Sequence, residues 1–408
     1  GGPSEKAGLM PGDRIIRVGE REIAGKKTPQ DSMIRLMKGP SGSKVKITVR
    51  REGTTIPFDI IRDKIPVHCV DAAFMVNDTT GYIKLSKFSR NTFQEFTEAA
   101  DKLRAQGMKR LLFDLRDNTG GYLDQALLLS NEFLSRGDLV VYMEGLHRER
   151  QDFKADGRGY LKDIQVSVLI DEVSASSSEI FAGAIQDNDR GVIVGRRSFG
   201  KGLVQEPINF TDGSGIRLTV ARFHTPSGRC IQKPYGDDYD YDIYERYVNG
   251  EMVSADSMKV DTTAVYYTKK GRPVYGGGGI IPDIFVPIDT TKATDFFIRC
   301  NKKATTMRFA SAMFDKYKAV LPTIHDFSRL ERYFEEIALD RQFLDFAARV
   351  DGIRPAPGEW EESCEYMMPQ INALVGRYSK LDEEAFYRFY LPVDETIKTA
   401  LENNSVVE

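Results

Sequence analysis

Residues 174–187 read Ser-Ala-Ser-Ser-Ser-Glu-Ile-Phe-Ala-Gly-Ala-Ile-Gln-Asp and place a run of small hydroxyl residues directly before a compact apolar segment. The segment before the run, 164–171, alternates and then becomes continuously apolar, as expected of a buried strand. From Glu179 to Gln186 the large apolar residues recur at a spacing that suits a packed helix. The sequence therefore predicts a strand, a short serine-rich turn and a helix.

A serine at this junction has two interpretations. Its hydroxyl would lie near the helix N-terminus, where free N–H groups could stabilise a developing oxyanion. Ser176 with Glu179 three residues later also has the spacing of a capping box, which serves only to start a helix. Both interpretations stay open on this stretch alone.

A second stretch, 195–205, reads Gly-Arg-Arg-Ser-Phe-Gly-Lys-Gly-Leu-Val-Gln and contains a candidate base. A nucleophilic serine needs a group that takes its proton, and none of the four histidines has a local setting that suggests a triad. A lysine does this work when burial lowers its pKa, and Lys201 stands between glycines among apolar neighbours. If a strand begins at Leu203, the two-residue period puts Lys201 and Gln205 on one face, where Gln205 could hold the amine.

The same stretch partly fits a phosphate-binding loop, because Gly195 to Lys201 satisfies the pattern Gly-x-x-x-x-Gly-Lys. However, Gly202 stands where a serine or threonine should bind magnesium, and the following residues, which include Pro207, look extended instead of helical. A nucleotide site is therefore disfavoured. A solvated turn lysine without chemistry is the remaining alternative.

A third stretch, 112–121, reads Leu-Phe-Asp-Leu-Arg-Asp-Asn-Thr-Gly-Gly, and the three stretches together resemble the C-terminal processing, or tail-specific, serine proteases. They occur in the family's order, and the resemblance runs from the first residues to about Pro287. It implies a ClpP/crotonase-like α/β catalytic domain that works without metal or cofactor. Within it, Ser176 is implied to be the nucleophile, Lys201 the general base and Gln205 the partner that orients the lysine.

The glycine pair of the third stretch is the candidate oxyanion hole. Two glycines at the end of a buried strand allow backbone N–H groups to face a ligand. The resemblance implies that the turn of Gly120 and Gly121 supplies one donor and the backbone N–H of Ser177 the other, and we favour Gly120 within the turn. The alternative is a tight turn without chemistry.

Composition limits the classes of function. The chain has 408 residues, of which 41% are hydrophobic and 29% charged, as in a soluble globular protein of two or three domains. Its formal net charge of −3 does not indicate binding to nucleic acid. No apolar run approaches the length of a membrane span. The four scattered cysteines indicate neither a zinc site nor a disulfide framework. No secretory leader stands at the start, and because the chain opens within a motif we expect it to have been cut or processed.

The organisation predicted is a multidomain α/β (α+β) chain in three parts. Residues 1–64 resemble part of a PDZ domain, residues 65–289 form the catalytic domain with an insertion at about 233–278, and residues 290–408 form a helical domain. Strands at 81–85 and 110–115 flank a helix at 91–106, a β-α-β order that favours parallel pairing. A further helix is predicted at 123–134 and a further strand at 216–223.

The PDZ segment is predicted to contain a helix from Thr28 to Met37, capped by Thr28, and a closing strand in which Val45, Ile47 and Val49 alternate. PDZ domains bind a peptide C-terminus as an added strand. The family's carboxylate-binding loop and pairing strand normally lie upstream of this point, so no peptide-binding residues are assigned here. A small structural or regulatory β-domain is the alternative.

The insertion departs from the compact family pattern. Residues 225–229 resemble the family's segment beside the active site, yet some fifty residues separate it from Ile281-Pro282-Asp283. The acidic run 237–242 lacks the glycine and terminal glutamate of a calcium loop, so a solvated face is expected. The glycines at 276–279 are expected to form a flexible approach to the next strand. We hypothesise that the insertion narrows or covers the cleft.

The last part is predicted to be helical, with helices at 296–318, 329–350, 361–377 and 383–403. We expect it to pack on the catalytic domain or to mediate self-association into a homo-oligomer. The family resemblance implies a serine endopeptidase of the bacterial cell envelope, in the periplasm, acting on proteins or peptides recognised by their C-termini. The main alternative is a PDZ-containing binding or scaffold protein whose protease domain is inactive.

Overall fold

The computed structural model describes residues 2–51, 53–65, 67–236, 239, 241–261, 263–289 and 294–403. Gly1, Asp237, Asp238 and Asp240 therefore lie outside the described residues, and with them three of the four aspartates of the acidic run. The fold is mixed α/β with a helical C-terminal region, as predicted. The domain limits at 64/65 and 289/290 stay predictions.

The N-terminal part is a small antiparallel sheet with two helices. Its elements are Pro3–Lys6 (α1), Arg14–Val18 (β1), Arg21–Glu22 (β2), Gln30–Met37 (α2), Lys44–Arg51 (β3) and Thr54–Ile61 (β4). The strand order is β2-β1-β3-β4, and the inward residues of β3 are the predicted Val45, Ile47 and Val49. The prediction of Thr28 as a helix cap was wrong by one residue, because α2 is preceded by Pro29 at the cap position.

The central part is built around a six-stranded sheet. Its elements are Val70–Met75 (β5), Thr80–Leu85 (β6), Thr92–Ala105 (α3), Arg110–Asp114 (β7), Leu123–Phe133 (α4), Leu139–Gly145 (β8), Arg148–Lys154 (β9), Gln165–Ile170 (β10), Ser177–Asp187 (α5), Val192–Gly195 (β11), Leu203–Asn209 (β12), Gly215–His224 (β13), Asp242–Val248 (α6), Val265–Tyr267 (β14), Pro273–Tyr275 (β15) and Ile284–Phe285 (β16). The sheet order is β16-β11-β10-β7-β6-β5, and only β5 pairs antiparallel to its neighbour. The predicted parallel β-α-β pairing is confirmed.

The C-terminal part is helical, as predicted, and the helix predicted at 361–377 is confirmed, but the other three predicted helices are each interrupted. The observed helices are Asp295–Lys302 (α7), Thr305–Tyr317 (α8), Phe327–Glu336 (α9), Leu339–Asp351 (α10), Glu359–Gly376 (α11), Glu383–Tyr390 (α12) and Glu395–Glu402 (α13). The uninterrupted helices predicted at 296–318 and 329–350 were wrong, because Ala304 and Ala338 adopt left-handed backbone angles with φ of 50° and 48°. The helix predicted at 383–403 breaks at the turn Leu391–Val393, where Pro392 cannot continue the helical hydrogen bonds.

Helices cover both faces of the six-stranded sheet. On one face α3, α4 and α5 bury an aromatic cluster in which Phe113 and Phe181 meet edge to face at 5.1 Å. On the other face α13 buries Ile397 and Ala400 against the sheet. Arg110 of β7 donates to the backbone carbonyls of Ala400, Leu401 and Asn403, so the end of α13 is fixed to the sheet. Of the two expectations for the helical region, packing on the central part is met, and self-association stays a prediction.

A second antiparallel sheet, with order β12-β13-β8-β9, lies beside the first. Its edge strand β12 follows directly after Lys201 and contains Pro207, which an edge strand tolerates. The register of β12 shifts between Val204 and Gln205. No helix among the described residues is long and apolar enough to cross a bilayer.

Candidate active site

Ser176 occupies a strained position at the start of α5. Its backbone angles are φ 57° and ψ −113°, whereas a capping residue normally has extended angles. Positive φ is uncommon for a residue other than glycine, and such strain concentrates at functional sites. The serine also follows the carboxyl end of the parallel strand β10, the edge at which α/β proteins place their ligands. These features favour a functional serine over a simple helix cap.

The carboxylate of Glu179 is the centre of the hydrogen bonds around Ser176. Oε2 accepts the backbone N–H groups of Ser176 and Lys201, each at 2.8 Å. Oε1 accepts the Ser198 hydroxyl and the Gly200 N–H, each at 2.6 Å. Complete burial raises the pKa of Glu179, and these four hydrogen bonds act in the opposite direction.

This carboxylate brings the two predicted catalytic residues together at the level of the backbone. Because both amides bond to one oxygen at 2.8 Å, the nitrogens of Ser176 and Lys201 lie within twice that distance of each other. The Phe199 N–H also donates to the Ser174 carbonyl at 2.9 Å, which adds a second tie between the segments. The capping-box spacing noted in the sequence is thus present, and the same glutamate also binds the segment that carries the lysine.

The side chains of Lys201 and Gln205 are arranged differently from the prediction. Both are exposed, and among the described residues the Lys201 amine makes no hydrogen bond to either Ser176 or Gln205. The amide of Gln205 instead reaches the Thr219 hydroxyl at 3.4 Å. The predicted burial of Lys201 is therefore not found. The bulge between Val204 and Gln205 also breaks the two-residue alternation on which their shared face was predicted.

The glycine turn lies directly against the serine. A side-chain carbon added to Gly120 would lie 2.7 Å from the Ser176 Cβ and 2.8 Å from the Ser177 nitrogen, so only glycine fits there. Gly120 donates its N–H to Asn118 Oδ1 at 2.9 Å, and that amide is therefore occupied in this conformation. The N–H groups of Gly121 and Ser177 have no acceptor within the described part of the chain.

A buried ionic network supports the strand that leads into this turn. Asp114 accepts hydrogen bonds from Tyr82, Lys84 and Arg116, and Arg116 also pairs with Asp394 at the start of α13. Burial alone would raise the pKa of Asp114, but the charges of Arg116 and Lys84 outweigh it and hold the pKa well below its ordinary value. The turn is thus connected to the C-terminal helix.

A second buried pair fixes the segment 225–229 to the serine helix. Arg229 is almost fully buried and donates to Asp187 at 2.7 Å and to Gln186 at 2.6 Å, both on α5. The Ser227 N–H donates to the same Asp187 carboxylate at 3.0 Å. Sequence reasoning missed Asp187. Its signal is an acidic residue at the end of an otherwise apolar helix, which predicts a buried partner.

Comparison with known proteins identifies the same regions. Residues 79–243 match the model of peptidase family S41, and residues 1–51 match that of a PDZ domain. The carboxy-terminal processing protease CtpA of Bacillus subtilis is 36% identical over 234 residues, which are 57% of this chain and 49% of that protein. A CtpA-like serine protease of Staphylococcus epidermidis is 35% identical over 231 residues, covering 56% of this chain and 46% of the other.

The solved structure of a photosystem II D1 C-terminal processing protease is 27% identical, with a TM-score of 0.39, and the match covers 70% of this chain and 66% of that one. The chain spans about half the length of the curated relatives it matches. Both matched relatives are bacterial. The chain therefore contains a region that matches peptidase family S41, residues 79–243, preceded by a segment that matches a PDZ domain, residues 1–51.

Proposed function

We propose that the chain is a serine endopeptidase that works through a Ser–Lys dyad. Ser176 attacks the scissile carbonyl, and Lys201 takes the hydroxyl proton and later gives it to the leaving amine. The observation that carries this proposal is the carboxylate of Glu179, one oxygen of which binds the backbone N–H groups of both residues. The strained backbone of Ser176 adds support.

The dyad assembles by rotation of the Lys201 side chain. The backbone around Lys201 is held by hydrogen bonds on both sides, whereas its four-carbon side chain is exposed and has no hydrogen-bond partner among the described residues. Exposed side chains change rotamer within nanoseconds, so the amine reaches the serine without a movement of the loop. A bound substrate then removes water from the amine and favours its neutral form.

The remaining roles follow from the same geometry. Gln205 releases Thr219 and orients the lysine amine once the amine has turned toward Ser176. The oxyanion is held by the Ser177 N–H and by one N–H of the glycine turn. We now favour Gly121 over Gly120 for that role, since the Gly120 N–H already donates to Asn118.

The substrates in this proposal are proteins or peptides cleaved near their C-termini. The Bacillus subtilis relative is named a carboxy-terminal processing protease, which favours this class of substrate. The PDZ segment favours recognition of a C-terminal peptide. The location we propose is the bacterial cell envelope, in the periplasm.

A fluorophosphonate probe tests the nucleophile, because it reacts with activated serines. The protein should be labelled, Ser176→Ala should not be, and Ser214→Ala, which changes an exposed turn, should be labelled at the full rate. Labelling of Ser176→Ala at the rate of the original protein would reassign the nucleophile. If the unaltered protein is not labelled, the alternative of a PDZ-containing binding protein with an inactive protease domain is favoured.

Lys201→Ala tests the base. Its peptidase activity should fall to the level of Ser176→Ala while the protein stays folded, as measured by circular dichroism. In the unaltered protein the activity should increase with pH in the range where the lysine amine loses its proton. A profile that follows an ionisation near that of free histidine, about 6.5, would contradict the dyad.

A further inference from the structure

Several residues of the insertion, 233–278, make polar contacts with the segment that carries Lys201. We propose that Arg246, paired with Glu251, is a positioning residue that holds the lysine loop, defined here as residues 197–202, in its reactive place. This inference rests on the proposed function and goes beyond it, because it makes a segment outside the cleft a determinant of the chemical step.

The first argument is the direct contact of Arg246 with the loop backbone. Its guanidinium donates to the carbonyl of Arg197 at 2.6 Å and to the carbonyl of Ser198 at 3.1 Å. The same guanidinium donates to Glu251 at 2.9 Å, and Glu251 also takes two hydrogen bonds from Arg197, at 2.6 and 2.7 Å. Arg246 and Glu251 are both buried, so this planar fork is shielded from water and fixed in direction.

The second argument is that the neighbouring residues complete the outer side of the loop. The N–H of Lys233 donates to the Gly200 carbonyl at 2.9 Å, and the Gly202 N–H donates to the side chain of Gln232 at 3.0 Å. On the inner side Glu179 takes the N–H groups of Gly200 and Lys201. The loop is therefore held between the serine helix and the insertion.

The third argument explains the two glycines beside Lys201. A side-chain carbon on Gly202 would lie 2.7 Å from the backbone nitrogen of Gln232, and one on Gly200 would lie 3.0 Å from the Cβ of Lys233. Gly200 also has φ of +90°, which other residues rarely adopt. The glycines thus admit the segment that leads into the insertion, residues 231–233, and the loop cannot shift outward while that segment is in place.

The consequence is that the insertion acts on the rate of chemistry. Without the Arg246 side chain, two buried carbonyls lose their donors and Glu251 loses one of its two arginines, so the loop is free to relax away from Glu179. A misplacement of a reacting group by about 1 Å costs on the order of a hundredfold in rate. A cover over the cleft would act differently, since it would change the binding of long substrates and leave a small reagent unaffected.

The test compares Arg246→Ala, Arg246→Lys and Glu251→Gln in the full chain. The control is Lys269→Ala, which removes another ion pair between the insertion and the rest of the protein, with Asp138, without touching the loop. For each variant we would measure kcat and KM on a long and a short peptide, and the rate of fluorophosphonate labelling of Ser176. Circular dichroism and thermal melting verify the fold.

We expect Arg246→Ala to lower kcat and the labelling rate by about tenfold to a hundredfold with KM nearly unchanged. Arg246→Lys keeps the charge but not the fork and should recover only part of the rate, and Lys269→Ala should match the unaltered protein. If Arg246→Ala unfolds, Glu251→Gln, which removes the charge and one acceptor oxygen but keeps the shape of the side chain, should still lower the labelling rate.

Equal labelling rates in the folded variants and the unaltered protein would overturn the proposal, and so would a change confined to KM for the long peptide. A change of equal size in Lys269→Ala would also overturn it, because the effect would then belong to the insertion as a whole. Failure of the proposed function is distinct, since in that case Ser176 of the unaltered protein is not labelled at all.

Discussion

Replacing Glu179 by glutamine removes the charge that joins the serine helix to the lysine loop while keeping the shape of the side chain. A glutamine offers one acceptor oxygen, so two of the four donors that now bond to the carboxylate would face an NH2 group. When the NH2 group points toward Ser198, that hydroxyl can reverse its direction and accept, which leaves Gly200 as the one unsatisfied donor. The orientation with the NH2 group toward Ser198 therefore loses one hydrogen bond, and the opposite orientation of the amide loses two.

The size of the effect follows from the burial of this carboxylate. Hydrogen bonds to a charged group contribute about 1.5–3 kcal/mol each, so Glu179→Gln should lower the free energy of unfolding by roughly 2–5 kcal/mol. Activity should decrease by more than the loss of folded protein explains. The reason is that the hydrogen bonds that set the distance between Ser176 and Lys201 weaken. We expect a decrease in kcat of about tenfold to a hundredfold.

Urea unfolding and the rate of fluorophosphonate labelling measure these two effects. Glu98→Gln is the matched control, since Glu98 is exposed on α3 and its side chain bonds, among the described residues, only to Gln94. The control should unfold at the same urea concentration as the unaltered protein and be labelled at the same rate. If Glu179→Gln behaves like the control in both measurements, the carboxylate does not organise the site, and the argument from the shared oxygen is refuted.

Three other substitutions test separate parts of the structure. Gly121→Ala would put a carbon 1.9 Å from the carbonyl oxygen of Phe88, so it should cost at least about 2 kcal/mol and sharply reduce labelling of the serine. Asp114→Asn should cost about 3–5 kcal/mol at neutral pH, because the buried Lys84 loses its carboxylate partner and Arg116 loses one of its two, Asp394 being the other. The lowered pKa of Asp114 contributes stability above about pH 4 that is lost as the pH falls, so this variant should also show a flatter acid limb in stability against pH. Ile397→Ala should cost about 2–5 kcal/mol in urea unfolding, since it empties a site between α13 and the sheet.

Two of these have a control variant in the chain. Gly271→Ala also stands at a positive φ, +87° against +149° at Gly121, but no described atom lies near the added carbon, so it measures a backbone cost without a clash. Met307→Ala removes an exposed side chain and should leave stability nearly unchanged. An Asp114→Asn protein that keeps the full acid limb would show that another carboxyl is responsible for it. Equal stability of Ile397→Ala and Met307→Ala would argue against the packing of α13 on the sheet.

The sequence predicted the central elements well because their signals are local. The apolar run of β7, the periodic apolar positions of α3 and the glycines that follow β7 each reflect forces that act within a few residues. The same local patterns located Ser176 and Lys201 on adjoining segments. The β-α-β order then fixed the parallel sheet, since a parallel pair needs a crossover of this kind.

Features that depend on distant contacts were not predictable in this way. Glu179 was recognised only as half of a capping box, because its other partners lie about twenty residues further along the chain. The breaks at Ala304 and Ala338 carry no local signal, since alanine is the best helix former and packing alone imposes their left-handed angles. The neighbouring residues likewise do not predict the direction of the exposed Lys201 side chain, because a bulge interrupts their alternation.

The position of α13 has a consequence for the order in which the parts of the protein can assemble. Ile397 and Ala400 complete one face of the central sheet, and Arg110 is bound by carbonyls at 400–403. A fragment that ends before Asp394 would leave that apolar face of the sheet bare. It would also leave Arg116 without one of its two carboxylate partners, beside the turn that faces the serine. The surroundings of the glycine turn are therefore complete only after α13 has docked.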